Sequence, residues 1–393
     1  MRRLDYFLLS IVFSLCLIGL FLIFIATYDT PAFYLFTRQA IFLLLGVAIL
    51  IAGIRIPMRL HYSLTNYYLI IILISFIVLL AQGGDVNRWF RLAGVNIQPS
   101  EFAKIGFIFF LARYFDERKR DVNSWKNIIF PSSVLLILLW LLIEQPDLGT
   151  ALLFVGLYIG ILWWAGFKWI NLFILVSPFI SLIAAFHWIS WAIYFVLLVF
   201  ILHHGNVSIK KGGIALVLNI LFGSITPFVW MRLYDYQKNR ILVFLDPGRD
   251  PFGAGYQVLQ SKLAIGSGGL WGRGFFLTDK SSFSFLPARY TDFIFGVLGR
   301  SFGLVGCLIL LSLFLLLLYR GITIAQNSRN CFNRLVAVGI VIMIAFQTTV
   351  NILMSLGLAP VTGMPLPFIT YGGSSLFTML FAVGLLLNIE AVE

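Results

Sequence analysis

Residues 234–300 read YDYQKNRILVFLDPGRDPFGAGYQVLQSKLAIGSGGLWGRGFFLTDKSSFSFLPARYTDFIFGVLGR, a long polar interruption between two stretches of almost continuous hydrocarbon. A bilayer cannot solvate these charges or an irregular backbone, so the stretch must lie outside the hydrocarbon core or line a cavity. Its last carboxylate, Asp292, comes just before the apolar run Phe293-Ile294-Phe295. An acid at the rim of a membrane helix is costly, which makes it a functional candidate by default.

The composition agrees with a membrane chain. Of 393 residues, 60 % are hydrophobic and 11 % charged, against about 25 % charged in a soluble domain. The expected fold class is an all-α polytopic integral membrane protein with about 10–12 transmembrane helices and one long extracytoplasmic loop. Residues 1–233 form the N-terminal helices, 234–292 the loop and 293–393 the C-terminal helices, within one membrane domain. The net charge of +12 does not indicate nucleic acid, because the bases sit in short loops beside apolar spans. Cys16, Cys307 and Cys331 show no metal or redox spacing. Residues 1–27 are as long as a full span with no small-residue cleavage site after it, so they read as an uncleaved first helix.

Apolar runs fall at about residues 6–27, 39–54, 67–81, 102–115, 128–143, 151–166, 170–187, 188–202, 214–230, 293–319, 335–356 and 376–389. Charge tests this count. With Arg2 and Arg3 in the cytoplasm, the even loops carry Arg55 and Arg59, Arg118 to Arg120, Lys168, Lys210 and Lys211, and Arg320, Arg329 and Arg334. This places both termini inside, as the positive-inside rule requires. Merging residues 170–202 into one span would invert everything after it. By the same parity the long loop and Asp292 face out.

Each candidate has a bland reading beside its chemical one. Asp292 could cap a helix, or be a partly desolvated base. Glu101 and Lys104 share a helical face and could form a simple i,i+3 pair. Alternatively Lys104 is the counter-charge of Asp292. Arg38 could snorkel or hold a phosphate. Trp89, beside Arg88, could anchor at the interface or stack on a sugar. Arg240 and Lys262 add positive charge suited to an anionic lipid headgroup. The run Gly266-Ser267-Gly268-Gly269, with Gly272 and Gly274, lacks the ending of a nucleotide phosphate loop, and suits tight turns or close backbone approach. No metal triad is visible.

The long loop, with Tyr236-Gln237, Arg240, Leu245-Asp246-Pro247, Asp250-Pro251-Phe252-Gly253-Ala254-Gly255-Tyr256, Gln260-Ser261-Lys262 and Thr291-Asp292, resembles that of the SEDS family (shape, elongation, division and sporulation). Pro99-Ser100-Glu101-Phe102-Ala103-Lys104, Gln145-Pro146-Asp147-Leu148-Gly149-Thr150 and Tyr371-Gly372-Gly373-Ser374 match as well. The Asp-Pro-x-x-Asp-Pro pattern looks more like the rod-shape branch than the division branch. The resemblance implies an inverting glycosyltransferase that polymerises lipid II, the undecaprenyl-pyrophosphate disaccharide-peptide, into peptidoglycan on the outer face of the cytoplasmic membrane. It also implies a class B penicillin-binding protein as partner. The family's essential acid maps to Asp292 and its cavity charges to Arg38, Glu101 and Lys104. On that reading Asp292 accepts the acceptor hydroxyl's proton or orients the hydroxyl, Lys104 holds Asp292 ionised or positions it, and Arg38, Arg240 and Lys262 are candidates to steady the leaving pyrophosphate. A divalent cation (Mg or Mn) is open for that last task, and the sequence holds no dedicated cage for one.

Three departures stand out. Ala288 and Tyr290 replace a usual Glu and His, Arg300-Ser301 replaces Glu-Glu, and the hairpin at 170–202 exceeds the ten spans of the family. Rival readings are a division-type polymerase, a lipid II flippase, and a non-catalytic scaffold for the penicillin-binding protein.

Overall fold

The computed structural model describes residues 5–28, 30–82, 88–92, 95–117, 122–250, 253–274 and 290–392. Arg2, Arg3, Arg118, Lys119, Arg120, Pro251, Phe252 and Ala288 lie outside them. The described residues form fourteen α-helices: α1 (Tyr6–Thr27), α2 (Tyr34–Arg55), α3 (Met58–Ala81), α4 (Pro99–Glu117), α5 (Lys126–Glu144), α6 (Leu148–Trp164), α7 (Trp169–Ala184), α8 (Trp188–His204), α9 (Ile209–Arg232), α10 (Asp235–Leu245), α11 (Ala254–Gly268), α12 (Ile294–Asn327), α13 (Cys331–Ser355) and α14 (Gly373–Val392). Eight helices are long and apolar enough to cross a membrane, counting the short turn Pro31–Phe33 with α2, and α6, α7 and α8 are shorter apolar helices. The chain is a multi-pass membrane protein.

α4 carries Glu101, Lys104, Arg113, Asp116 and Glu117, too many charges to face lipid, and its neighbours wrap it along most of its length. It packs on α3, α13 and α6, while α14 packs on α2, and α12 on α1, α11 and α13. Glycine permits the closest of these approaches. A Cβ on Gly53 would lie 2.9 Å from the carbonyl oxygen of Phe381 in α14.

The helices α7, α8 and α9 stand apart as a satellite with their own small core of Ile174, Tyr194, Leu198, Leu202 and Ala215. Polar side chains tie it together. The Asn219 amide donates to Ser177 Oγ at 2.8 Å, the Tyr194 hydroxyl donates to Asn219 Oδ1 at 2.9 Å, and Trp191 Nε1 donates to Ser181 Oγ at 2.9 Å. Such bonds are the glue between membrane helices, where lipid removes the hydrophobic driving force.

One pair of strands interrupts the helical pattern. β1 (Phe90–Leu92) and β2 (Val95–Ile97) run antiparallel, with Phe90 opposite Ile97. The pair is pinned to the first turn of α14, where Ser374 Oγ donates to the Asn96 carbonyl at 3.0 Å and accepts from Gln98 N at 3.2 Å.

The long polar stretch is more regular than its composition suggests, since α10 and α11 lie in it. Its glycines make a clasp. α12 is broken at Gly303, which has φ +63° and ψ −158°. The segment after α11 fits into the break through main-chain bonds. Arg273 N donates to Arg300 O at 2.9 Å, Gly274 N to Ser301 O at 3.2 Å, and Leu304 N to Gly269 O at 2.9 Å. A Cβ on Gly272 would lie 2.2 Å from Ser301 O, so the two backbones meet only because glycine is there.

Asp5 before α1, Arg320 in α12 and Glu390 in α14 meet at one end of the bundle, with Arg320 bonded to both carboxylates, to Glu390 at 3.1 Å. Between the break at Gly303 and Arg320 the helix runs unbroken for roughly 25 Å at 1.5 Å per residue, close to the thickness of a hydrocarbon core.

Candidate active site

Asp292 sits in the turn before α12. The N-cap of α12 is Phe293, with no side-chain cap bond, so the capping reading of Asp292 does not hold. Its backbone is held instead. Asn351 of α13 donates to the Asp292 carbonyl at 3.0 Å and to the Met364 carbonyl at 2.7 Å, and Tyr371 N donates to Tyr290 O at 2.9 Å. The carboxylate is half-buried. Burial pushes its pKa up from 3.8 to about 6, against the opposing pull of the Arg240 and Arg88 guanidinium groups.

Among the described residues it is these two arginines, not Lys104, whose charge acts on Asp292. Lys104 is fully buried and donates to Glu101 Oε2 at 2.6 Å. The expected Lys104–Asp292 pairing is therefore corrected to the i,i+3 pair. At three residues' separation on one helix the partner is already in reach, and a buried ammonium takes the nearest carboxylate. Arg240 of α10 donates to the Thr362 carbonyl at 3.4 Å. Arg88 donates to the Gln145 carbonyl at 2.9 Å and to the Pro146 carbonyl. Thus both arginines are anchored on main-chain carbonyls.

Arg38 is exposed, 5.3 Å from the Tyr34 ring centroid, and donates to the Tyr371 hydroxyl. Through Tyr371 and Tyr290 it adjoins the turn that carries Asp292. Lys262 is exposed on α11, and its Nζ lies 2.9 Å from where a Cβ on Gly357 would be. Nothing joins Lys262 to Asp292 among the described residues.

Beside Asp292 lies a small polar cavity of ≈ 70 Å³. Arg88, Trp89, Glu101, Asp147, Gln347 and Gly363 are on its wall. Gly363 is the wall shared with Asp292, since a Cβ there would stand 3.8 Å from Asp292 Oδ2. Asp147 caps α6, accepting from Thr150 N at 3.2 Å and Thr150 Oγ1 at 2.8 Å, and it also accepts from Gln98 at 3.2 Å and Ser100 at 3.3 Å. Both carboxylates of the cavity are thus already satisfied, Glu101 by Lys104 and Asp147 by these donors. Among the described residues no three His, Cys, Asp or Glu side chains gather to hold a metal. The donor set does not build a cage for a resident divalent cation.

Sequence reasoning took Asp147 only as part of a matching motif, without a role, and missed Gln347, Asn351 and Ser355. The last three recur every four residues in the apolar helix α13 and are buried. A polar stripe of that period inside a membrane span was the available signal.

A family model described as "Cell cycle protein" (FtsW, RodA, SpoVE) matches residues 5–194 and 188–393. A Geobacter metallireducens protein named "Probable peptidoglycan glycosyltransferase FtsW" is 36 % identical over 91 % of this chain and 85 % of its own length. "Peptidoglycan glycosyltransferase MrdB" of Escherichia coli is 35 % identical over 88 % of this chain and 83 % of its own. A chain from a structure described as "Structural coordination of polymerization and crosslinking by a peptidoglycan synthase complex" superposes with TM-score 0.73 and 30 % identity, covering 99 % of this chain and 98 % of that one. The rod shape determining protein RodA of Thermus thermophilus, 24 % identical with TM-score 0.65 over 99 % of this chain and 97 % of its own, shares the fold. With the motifs, the bundle and these matches in agreement, the chain belongs to the FtsW/RodA/SpoVE family, the SEDS proteins.

Proposed function

We propose that this protein is a peptidoglycan glycosyltransferase that polymerises lipid II, working in the bacterial cytoplasmic membrane with both termini inside and Asp292 on the outer face. A class B penicillin-binding protein is its crosslinking partner. The observation that carries the reading is the half-buried Asp292 carboxyl, with a pKa near 6 and two anchored arginines beside it.

In this reading the 4-hydroxyl of the acceptor sugar attacks the anomeric carbon of the lipid-linked donor, and the bond to pyrophosphate breaks with inversion. Asp292 takes the hydroxyl proton, a task for which a base poised near working pH is suited. Arg240 and Arg88 hold the Asp292 carboxylate and face the negative charge that grows on the leaving group. Arg38, joined to the Asp292 turn through Tyr371, and Lys262, exposed on α11, add positive charge for an anionic headgroup. Lys104 neutralises Glu101 and keeps the cavity wall rigid. An apolar groove of ≈ 350 Å³ between α2, α3, α4 and α14, with Ile49, Tyr68, Ile72, Phe102, Phe109 and Phe381 on its wall, suits a hydrocarbon tail.

The test is lipid II polymerisation by purified protein, with and without a class B penicillin-binding protein. Wild type is expected to make glycan ladders and Asp292→Ala none. Ladders from both proteins would move the base elsewhere, and none from either would remove the polymerase reading. A tagged copy on the lateral wall rather than the septum checks the elongation role.

A further inference from the structure

The ≈ 70 Å³ cavity next to Asp292 has a use of its own. It is far too small for a sugar ring. At roughly 30 Å³ per water it holds about two waters, or one arm of about four heavy atoms. Its wall is mainly polar with one apolar side, where Leu153, Met364 and Pro365 stand opposite Gln347 and Gln98 in character. Most polar groups here are committed. Arg88 is on carbonyls, Glu101 on Lys104, and Gln98 on Asp147. Gln347 is different. It is 2 % exposed, and its Oε1 is fully buried with no partner among the described residues. A buried carbonyl oxygen with no donor is costly to the fold, so this Oε1 is poised for a donor that enters the cavity.

The group must be small, must donate to Gln347 Oε1, and must end in a methyl that can meet Leu153 and Met364. An acetamido arm meets all three conditions, whereas a hydroxymethyl or a phosphate does not. We propose that the cavity is an acyl pocket for the 2-acetamido arm of the donor hexosamine, with the acetamido N–H donating to Gln347 Oε1. This rests on the polymerase reading above. The acetamido-bearing carbon adjoins the anomeric carbon, so seating the arm behind Gly363 sets the reacting carbon beside Asp292. Gln347 is then a specificity-determining residue, and Gly363 keeps the wall between pocket and base thin.

The test is equilibrium binding, which does not require turnover. Protein in lipid nanodiscs is titrated with lipid II and with two neutral analogues. One has hydroxyl in place of acetamido on the pyrophosphate-proximal sugar, the other on the distal sugar. Wild type is expected to bind the proximal analogue at least about tenfold more weakly than lipid II and the distal one nearly as well as lipid II. Gln347→Leu is expected to bind lipid II and the proximal analogue alike. Gln347→Met, which keeps nearly the same volume and loses both the amide oxygen and the amide nitrogen, gives the second variant if the leucine form fails to fold, and it too is expected to lose the preference. Equal binding of lipid II and the proximal analogue by wild type, or an undiminished preference in either folded variant, would overturn the pocket. Failure to polymerise would strike the proposed function and leave this binding difference readable.

Discussion

Asp292→Asn should make the protein more stable at neutral pH while removing its activity. Burial holds the Asp292 pKa at about 6 against an ordinary value of 3.8. The native state therefore keeps a proton that the unfolded chain gives up between those values, so stability is greatest below the window and falls as pH rises through it. At about 1.4 kcal/mol per pH unit, the ionised carboxylate costs the fold up to ~3 kcal/mol at pH 7.5, less where solvent reaches it. Asparagine removes that cost at nearly the same volume. It does not orphan the arginines, because Arg240 and Arg88 keep their carbonyl partners. At about 1–2 °C per kcal/mol for a chain this large, scaled from smaller domains, the variant should melt ~2–5 °C above wild type at pH 7.5. Tryptophan fluorescence on heating, in detergent, reads this, and the gap should shrink as the pH is lowered to 5. A variant that melts at or below wild type at pH 7.5, or a gap that ignores pH, would refute a desolvated carboxylate at this position.

Other consequences can be checked in the same preparations. Arg240→Ala removes the larger of the two attractions that lower the Asp292 pKa, so the rising limb of the pH–activity profile, centred near 6 in wild type, should move to higher pH. Asn351→Leu leaves the Asp292 and Met364 carbonyls without their donor, and should cost about 1–3 kcal/mol in thermal unfolding together with most of the polymerisation rate. Gly272→Ala drives a methyl into Ser301 O at a backbone φ of +84° and should lower the melting point sharply, whereas Gly212→Ala, with open space around it in α9, should leave it unchanged or slightly raised.

Much of the fold was legible because hydrocarbon runs and charged loops obey simple rules, and the twelve apolar runs appear as twelve helices. The meeting of Asp5, Arg320 and Glu390 agrees with an even number of crossings between them and the chain start. Asp292 was legible as an acid where acids are costly. Its partners were not. In the sequence Lys104 had two possible acids, Glu101 and Asp292, and Arg240 was read only as charge for an anionic headgroup; packing decides both, since Lys104 takes Glu101 one turn away while Arg240 is carried to Thr362 by α10. The helices α10 and α11 were hidden inside a stretch rich in Gly, Pro and charge, which suggests irregular backbone. Gln347 and Asn351 were hidden by the opposite effect, two amides inside a strongly apolar run. Tyr290 offers its carbonyl to Tyr371 N, a role no side-chain pattern can announce.

The glycine clasp around Gly303 bears on how freely this protein can diverge. Arg300 and Ser301 grip the passing loop with their carbonyl oxygens, and every amino acid owns a carbonyl. The placement of the half-helix behind Asp292 is thereby written in main chain and in a few missing methyl groups. Side chains at 300 and 301 are released from that duty, so a change of charge there, such as basic for acidic, can be absorbed without moving Asp292. Tolerance of this kind ends abruptly at Gly268, Gly272 and Gly303, where a single added carbon would meet backbone at 2.0–2.4 Å.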